Sequence, residues 1–132
     1  MSPRILLDTN VVVRWLYEPR KLSREQVRAL ADAEERNEPV AVSAITLFEI
    51  VGVLESGRVR GSIEDILDQL GAPTLFQVLP MTLEIAREMA AIGTALRDPA
   101  DRAIVATARI HRLKLVTSDQ RIAASRLVPV ID

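Results

Sequence analysis

A chain of 132 residues, 48% of them hydrophobic, is long enough to bury one core of ordinary size and predicts a single domain over residues 1–132. Its 17 basic and 18 acidic residues leave a net charge of -1, so any contact with nucleic acid must come from a local patch and not from a global field. Aromatic residues at 3% disfavour a base-stacking platform. Cysteine is missing and His111 is the one histidine, which excludes disulfides, thiolate zinc sites, cysteine nucleophiles and sites built from several imidazoles.

In chain order, Arg4 to Leu7 is a short apolar strand ending at Asp8. Val12, Val13 and Leu16 then recur on a helical face that stops near Pro19. Ser23 and Gln26 match a capping box, opening a helix to about Asn37 that carries Val27, Leu30, Ala31 and Glu34. Pro39 precedes a second buried strand, Val40 to Val42. A helix rich in Ile, Leu, Phe and Val follows from about Ala44 to Ser56, closed by Gly57, and reads mostly as core with an apolar excess for a partner. Ser62 and Asp65 cap another helix that ends near Gly71. Phe76 to Leu79 is a third strand. Thr82 to Arg97 reads as one long helix with Ile85, Met89 and Ile92 on a face, and the next runs from about Pro99 to His111. Strand Lys114 to Thr117, a short helix from Asp119 and strand Leu127 to Ile131 complete the chain.

Continuously apolar strands separated by helices imply a parallel sheet covered on both faces: a three-layer α/β fold with about five strands. No segment approaches the roughly 20 apolar residues of a membrane span. The N-terminal apolar run is broken by Asp8 and Arg14, unlike a signal peptide, so a soluble cytoplasmic protein is expected.

Asp8, Glu49, Asp101 and Asp119 stand where strands hand over to helices. Each has a local explanation. Asp8 and Asp119 can cap the helices that follow them, Thr46 and Glu49 match a capping box, and Asp101 adds charge to a helical first turn. In a parallel sheet, however, strand C-terminal ends and the helix starts beyond them converge on one crevice, and strands one and four should flank the point where strand order reverses. Two carboxylates ~6 Å apart at an effective dielectric of ~20 repel by roughly 3 kcal/mol. Four together would splay or partly protonate unless a cation joins them. Oxygen-only ligands favour Mg²⁺ or Mn²⁺ over zinc, and a metal-bound hydroxide in such a site suits attack on a phosphodiester.

The set LLDTN, Glu49 within AITLFEI, RDPADRAIVATA and LVTSD resembles the PIN domain family, and more narrowly its VapC-type ribonuclease toxins of VapBC toxin–antitoxin pairs. The resemblance spans essentially the whole chain, and RDPADR followed at this distance by TSD is its most specific part. It implies a Mg²⁺- or Mn²⁺-dependent endoribonuclease with a compact parallel-sheet fold, an RNA substrate, a cognate antitoxin and a homodimer. Position by position, Asp8 and Asp101 match the principal metal ligands. Glu49 and Asp119 match acids that bind directly or through water and orient the nucleophile. Asn10 matches the polar position beside the first acid, and Thr117 the one before the last.

Asp98 has two readings, a further ligand beside Asp101 or a pure N-cap before Pro99. Arg14, Arg97, Arg102 and Arg109 are candidates for RNA phosphates or for solvated surface charge, and Arg102, next to Asp101, is the first to test. His111 reads as a helix-dipole partner and Trp15 as core or dimer contact. Two related chemistries lose on named residues. A haloacid-dehalogenase-type phosphatase needs a second Asp where Asn10 stands, and a receiver domain needs an acid at the end of strand three, where Val78, Leu79 and Pro80 stand. A non-catalytic PIN-like binding subunit, its acids acting only as caps, is the remaining alternative.

Overall fold

The computed structural model describes residues 2–72 and 75–132. The first half of the chain runs β1 (Ile5–Leu7), α1 (Thr9–Tyr17), a 3-10 turn at Pro19–Lys21, α2 (Arg24–Glu35), β2 (Val40–Ser43), α3 (Ala44–Glu55) and α4 (Ile63–Leu70). The second half runs β3 (Phe76–Leu79), α5 (Leu83–Ile92), a 3-10 turn at Gly93–Ala95, α6 (Pro99–His111), β4 (Lys114–Val116), α7 (Gln120–Ser125) and β5 (Val130–Ile131). The five strands pair in parallel in the order β3-β2-β1-β4-β5, so the chain reverses direction across the sheet between β1 and β4, as expected.

Side-chain alternation along each strand divides the core between the two faces. Ile5, Leu7, Val40, Val42 and Val116 point to one side, where Val11 and Val12 of α1, Leu30 of α2, Ile50 of α3 and Ile66 of α4 cover them. Leu6, Ala41 and Leu115 point to the other, against Ile85 of α5, Ile104 and Val105 of α6 and Ile122 of α7. The central strands β1 and β2 are buried on both faces, which explains why they read as unbroken apolar runs. Trp15 packs edge-on against Phe76 at 5.6 Å between ring centroids, part of this core. No helix is long and apolar enough to cross a membrane among the described residues.

Most helix starts follow local chemistry. The Ser23–Gln26 capping box forms in both directions, and Ser62 and Thr82 cap α4 and α5. Four expectations need correction. The helix expected to run from Thr82 to Arg97 stops at Ile92, because Gly93 turns to φ 55° and only a 3-10 turn follows. The buried side of α2 is Gln26, Leu30 and Ala33, with Val27, Ala31 and Glu34 exposed. Helix α3 buries only Thr46 and Ile50, and Phe48 is 77% exposed, so it is less of a core helix than its composition suggests. The final strand is confined to Val130–Ile131.

Candidate functional site

At the carboxyl ends of β1 and β4, a cleft of about 450 Å³ is lined by Asp8, Thr9, Asn10, Glu49, Asp98, Asp101 and Asp119, with Gly52, Val53, Ser56, Arg58 and Arg121 completing its walls. All four acids singled out in the sequence open onto it, together with Asp98. Five carboxylates face two arginines, so the cleft carries excess negative charge.

Asp8 lies at the end of β1, is only 7% exposed, and also caps α1. Its Oδ1 accepts from the Thr9 amide at 2.8 Å, and its Oδ2 accepts from the buried Thr117 hydroxyl at 2.7 Å. Burial raises its pKa above the usual 3.8; the Thr117 and Thr9 hydrogen bonds oppose this, and the neighbouring Asp119 charge adds to it. Thr117 also accepts from the Asp119 amide at 3.0 Å, so one hydroxyl ties the first acid to the last.

Glu49 departs from the capping-box expectation. The N-cap of α3 is Ser43, whose Oγ accepts from the Ile45 amide at 3.1 Å. Thr46 is therefore inside the helix and fully buried. The Thr9 hydroxyl lies 3.0 Å from that of Thr46 and donates to Glu49 Oε1 at 2.6 Å. Glu49 is thus held across the cleft by α1, not by its own helix start.

Asp101 stands in the first turn of α6, half-buried, with its pKa pushed up to about 6. Burial is the largest cause, followed by the charges of Asp98, Asp8 and Asp119, with Arg121 opposing. Asp98 does cap α6, its Oδ1 accepting from the amides of Ala100 at 2.8 Å and Asp101 at 3.3 Å, yet it also lines the cleft and its charge acts on Asp101. Cap and cleft residue are both true of it.

Asp119 caps α7, its Oδ1 accepting from the amides of Arg121 at 2.8 Å and Ile122 at 3.3 Å. Burial works to raise its pKa, but hydrogen bonds from the Arg121 side chain and these amides prevail and hold it below 3.8. Behind it, Ser118 Oγ accepts from Arg14 Nη1 at 3.1 Å and from Gln26 Nε2 at 2.9 Å. Gln26 is fully buried, so the capping box of α2 is joined to the loop that carries Thr117 and Asp119.

Asn10 is exposed at the cleft margin, as its position beside Asp8 suggests. Arg102 is not among the lining residues, and its Nε is buried without a hydrogen-bond partner among the described residues. The cations that do line the cleft are Arg58 and Arg121, which sequence reading did not single out. Arg109 is engaged with Glu88 at 2.8 Å, and His111 stands exposed in the last turn of α6. Thr9 was also missed as a functional residue, although its place in DTN between Asp8 and Asn10 was a usable signal.

Chemically, the cleft offers hard oxygen donors only, a set suited to a divalent cation of the Mg²⁺ or Mn²⁺ kind. As the side chains stand, no three acidic or histidine groups are gathered tightly enough to hold an ion among the described residues. Glu49 is drawn toward Thr9, Asp119 toward Arg121 and Asp98 toward its own helix.

The PIN domain family model matches residues 5–126. Ribonuclease VapC22 of Mycobacterium tuberculosis is 34% identical over 125 residues, covering 92% of each chain. Among solved structures, FitAcB from Neisseria gonorrhoeae aligns with a TM-score of 0.71 at 28% identity, covering 97% of this chain and 96% of the other. VapBC2 from Rickettsia felis, bound to a DNA fragment from its promoter, shares the fold with a TM-score of 0.74 at 16% identity, covering 98% and 97%. With its spaced acids brought to one cleft of a parallel sheet, and a family match over most of its length, this chain belongs to the PIN domain family.

Proposed function

We propose that the chain is a metal-dependent endoribonuclease, the cytoplasmic toxin of a type II toxin–antitoxin pair, and that Asp8, Glu49, Asp101 and Asp119 are its catalytic acids. A cognate antitoxin and a second copy of the chain are the protein partners in this reading. The observation that carries it is the convergence of five carboxylates on one cleft at the switch point of the sheet, with burial and mutual repulsion raising the pKa of Asp8 and bringing that of Asp101 to about 6. Such a gathering is unfavourable for the free protein and becomes favourable once a divalent cation joins it. The curated relative's name, a ribonuclease, supplies the reaction class.

In this reading Asp8 and Asp101 hold Mg²⁺ or Mn²⁺, with Asp119 and Glu49 completing its surroundings directly or through water. The bound ion supplies a water of lowered pKa and neutralises charge on the phosphate oxygens. The chain's own residues do the rest. Thr117 fixes Asp8 and Thr9 fixes Glu49, so both carboxylates face the cleft in set orientations. Glu49, half-buried and hydrogen-bonded through one oxygen, is positioned to orient the attacking water and accept its proton. Asn10 and Arg58 lie on the cleft wall to meet the RNA backbone.

A non-catalytic binding subunit is the second reading, favoured by the ungrouped acids and by the capping roles of Asp8, Asp98 and Asp119. One experiment separates the two. Mn²⁺ titration followed by cleavage of a structured RNA should show saturable binding and cutting that Asp8→Asn abolishes together. Cutting by Asp8→Asn in the presence of chelator would overturn the metal mechanism, and absence of both binding and cutting in the unaltered chain would favour the binding subunit.

A further inference from the structure

Arg121 stands in an unusual relation to the acids. Its Nε and Nη2 grip both oxygens of Asp119, at 3.4 Å to Oδ1 and 3.2 Å to Oδ2, and the same Nη2 lies 3.9 Å from Asp101 Oδ2. One guanidinium nitrogen therefore reaches an oxygen on each of the two carboxylates. The Arg121 side chain is 79% exposed, so no apolar packing holds it there. What keeps it in place is the acids themselves. Arg58, the other cation on the cleft wall, makes no ion pair with them among the described residues.

We propose that Arg121 is an internal counter-cation of the carboxylate cleft, which stands in for a divalent ion between Asp119 and Asp101 and must swing out before that ion can draw the two together. The inference rests on the metal-dependent reading above and adds a built-in competitor to it. It accounts for why acids that share one cleft are not gathered into a ligand set, since Asp119 is committed to Arg121 through both oxygens. It also gives the released arginine a destination. Arg121 borders a second, adjoining cavity of about 260 Å³ lined by Thr94, Arg97, Asp98 and Asp101, so a displaced side chain has open space beside the cleft.

An exposed ion pair shifts an equilibrium by only a few-fold, and removal of a like charge from beside a divalent ion adds a comparable factor. Arg121→Gln should therefore tighten Mn²⁺ binding by roughly three- to thirty-fold at low ionic strength. The measurement is Mn²⁺ titration of the full chain without RNA, followed by the electron paramagnetic resonance signal of free Mn²⁺. Asp8→Asn sets the background, and thermal melts verify that each variant is folded. Arg58→Gln, on the same wall but unpaired with these acids, should change the affinity by less than about two-fold. The proposal is overturned if Arg121→Gln binds Mn²⁺ with unchanged or weaker affinity, or if Arg58→Gln tightens it equally, which would make the effect a general field and not a contact. Failure of both the unaltered chain and Arg121→Gln to bind Mn²⁺ at all would take down the metal reading and the counter-cation with it.

Discussion

Thr117→Val isolates the bond on which the geometry of the first acid depends. Valine keeps the shape of threonine while removing the hydroxyl, so little cavity is created and the change is electrostatic. Two bonds are lost. One is the 2.7 Å hydrogen bond to the buried Asp8 carboxylate, worth about 1.5–3 kcal/mol for a charged acceptor. The other is the 3.0 Å bond from the Asp119 amide, a neutral pair worth about 1 kcal/mol. Together they predict a loss of roughly 3 kcal/mol at neutral pH. The loss must also depend on pH. Burial already holds the pKa of Asp8 above its unfolded value of 3.8, so its ionised form costs stability, and that cost fades as pH falls through the folded pKa. Removing Thr117, the main hydrogen-bonding force that lowers this pKa, enlarges the cost of ionised Asp8. Urea unfolding of both proteins in chelator, at neutral pH and near 4, should show the difference shrinking at acid pH toward the amide contribution alone. An equal loss at both pH values would mean that the hydroxyl acts by packing or capping, and that the Asp8 bond contributes nothing.

Asp101→Asn should stabilise the metal-free chain at neutral pH by about 1 kcal/mol, after allowance for solvent screening of a half-exposed group, while weakening Mn²⁺ binding. Its pKa is raised to about 6, so ionisation is unfavourable above that pH; the gain should vanish as pH falls to 3.8, and thermal melts across this range would test it. In the unaltered chain, Mn²⁺ affinity should fall as pH drops through about 6, where protons begin to compete at Asp101. Thr9→Val frees Glu49 from its 2.6 Å bond, and should cut RNA cleavage by roughly ten-fold with a smaller change in Mn²⁺ affinity. Unchanged cleavage in Thr9→Val would show that Glu49 needs no fixed orientation.

Local patterns carried the sequence reading as far as they extend. Apolar runs around Ile5–Leu7, Val40–Ser43 and Lys114–Val116 announced buried parallel strands, and hydroxyl and carboxylate residues ahead of most helices, though not α3, announced their starts. From these alone the reversal between β1 and β4, and hence the place of the cleft, followed. What stayed hidden depends on partners distant in sequence or on choices between equal local options. Thr46 followed by Glu49 looks like a capping box, but Ser43 at the end of β2 takes the cap first, and the freed glutamate is claimed by Thr9 from forty positions away. The role of Gln26 beyond its own helix rests on Ser118, ninety-two positions distant. Arg121 carries no local signal of its place in the cleft, because nothing near it in sequence says that Asp101 lies within reach. The periodicity of Ile85, Met89 and Ile92 carries a helix past Gly93, where the backbone turns to positive φ and ends it.

In the proposed metal-binding reading, capping a helix and holding an ion do not compete at this cleft. Asp8, Asp98 and Asp119 each give Oδ1 to backbone amides at a helix start. Those amides, with the partial positive charge of a helix N-terminus, favour the ionised carboxylate. Capping therefore lowers the repulsion that assembling these charges would otherwise incur, and it does so before any cation arrives. It also leaves the second oxygen of each residue free of its helix's backbone amides. On Asp98 that oxygen accepts no hydrogen bond among the described residues; on Asp8 it meets Thr117, and on Asp119 it meets Arg121. Asp101, which follows the cap and accepts no amide, shows the opposite behaviour, with a pKa pushed up to about 6. Among the cleft's aspartates it is Asp101 whose ionisation a cation would most relieve in the proposed metal-binding reading.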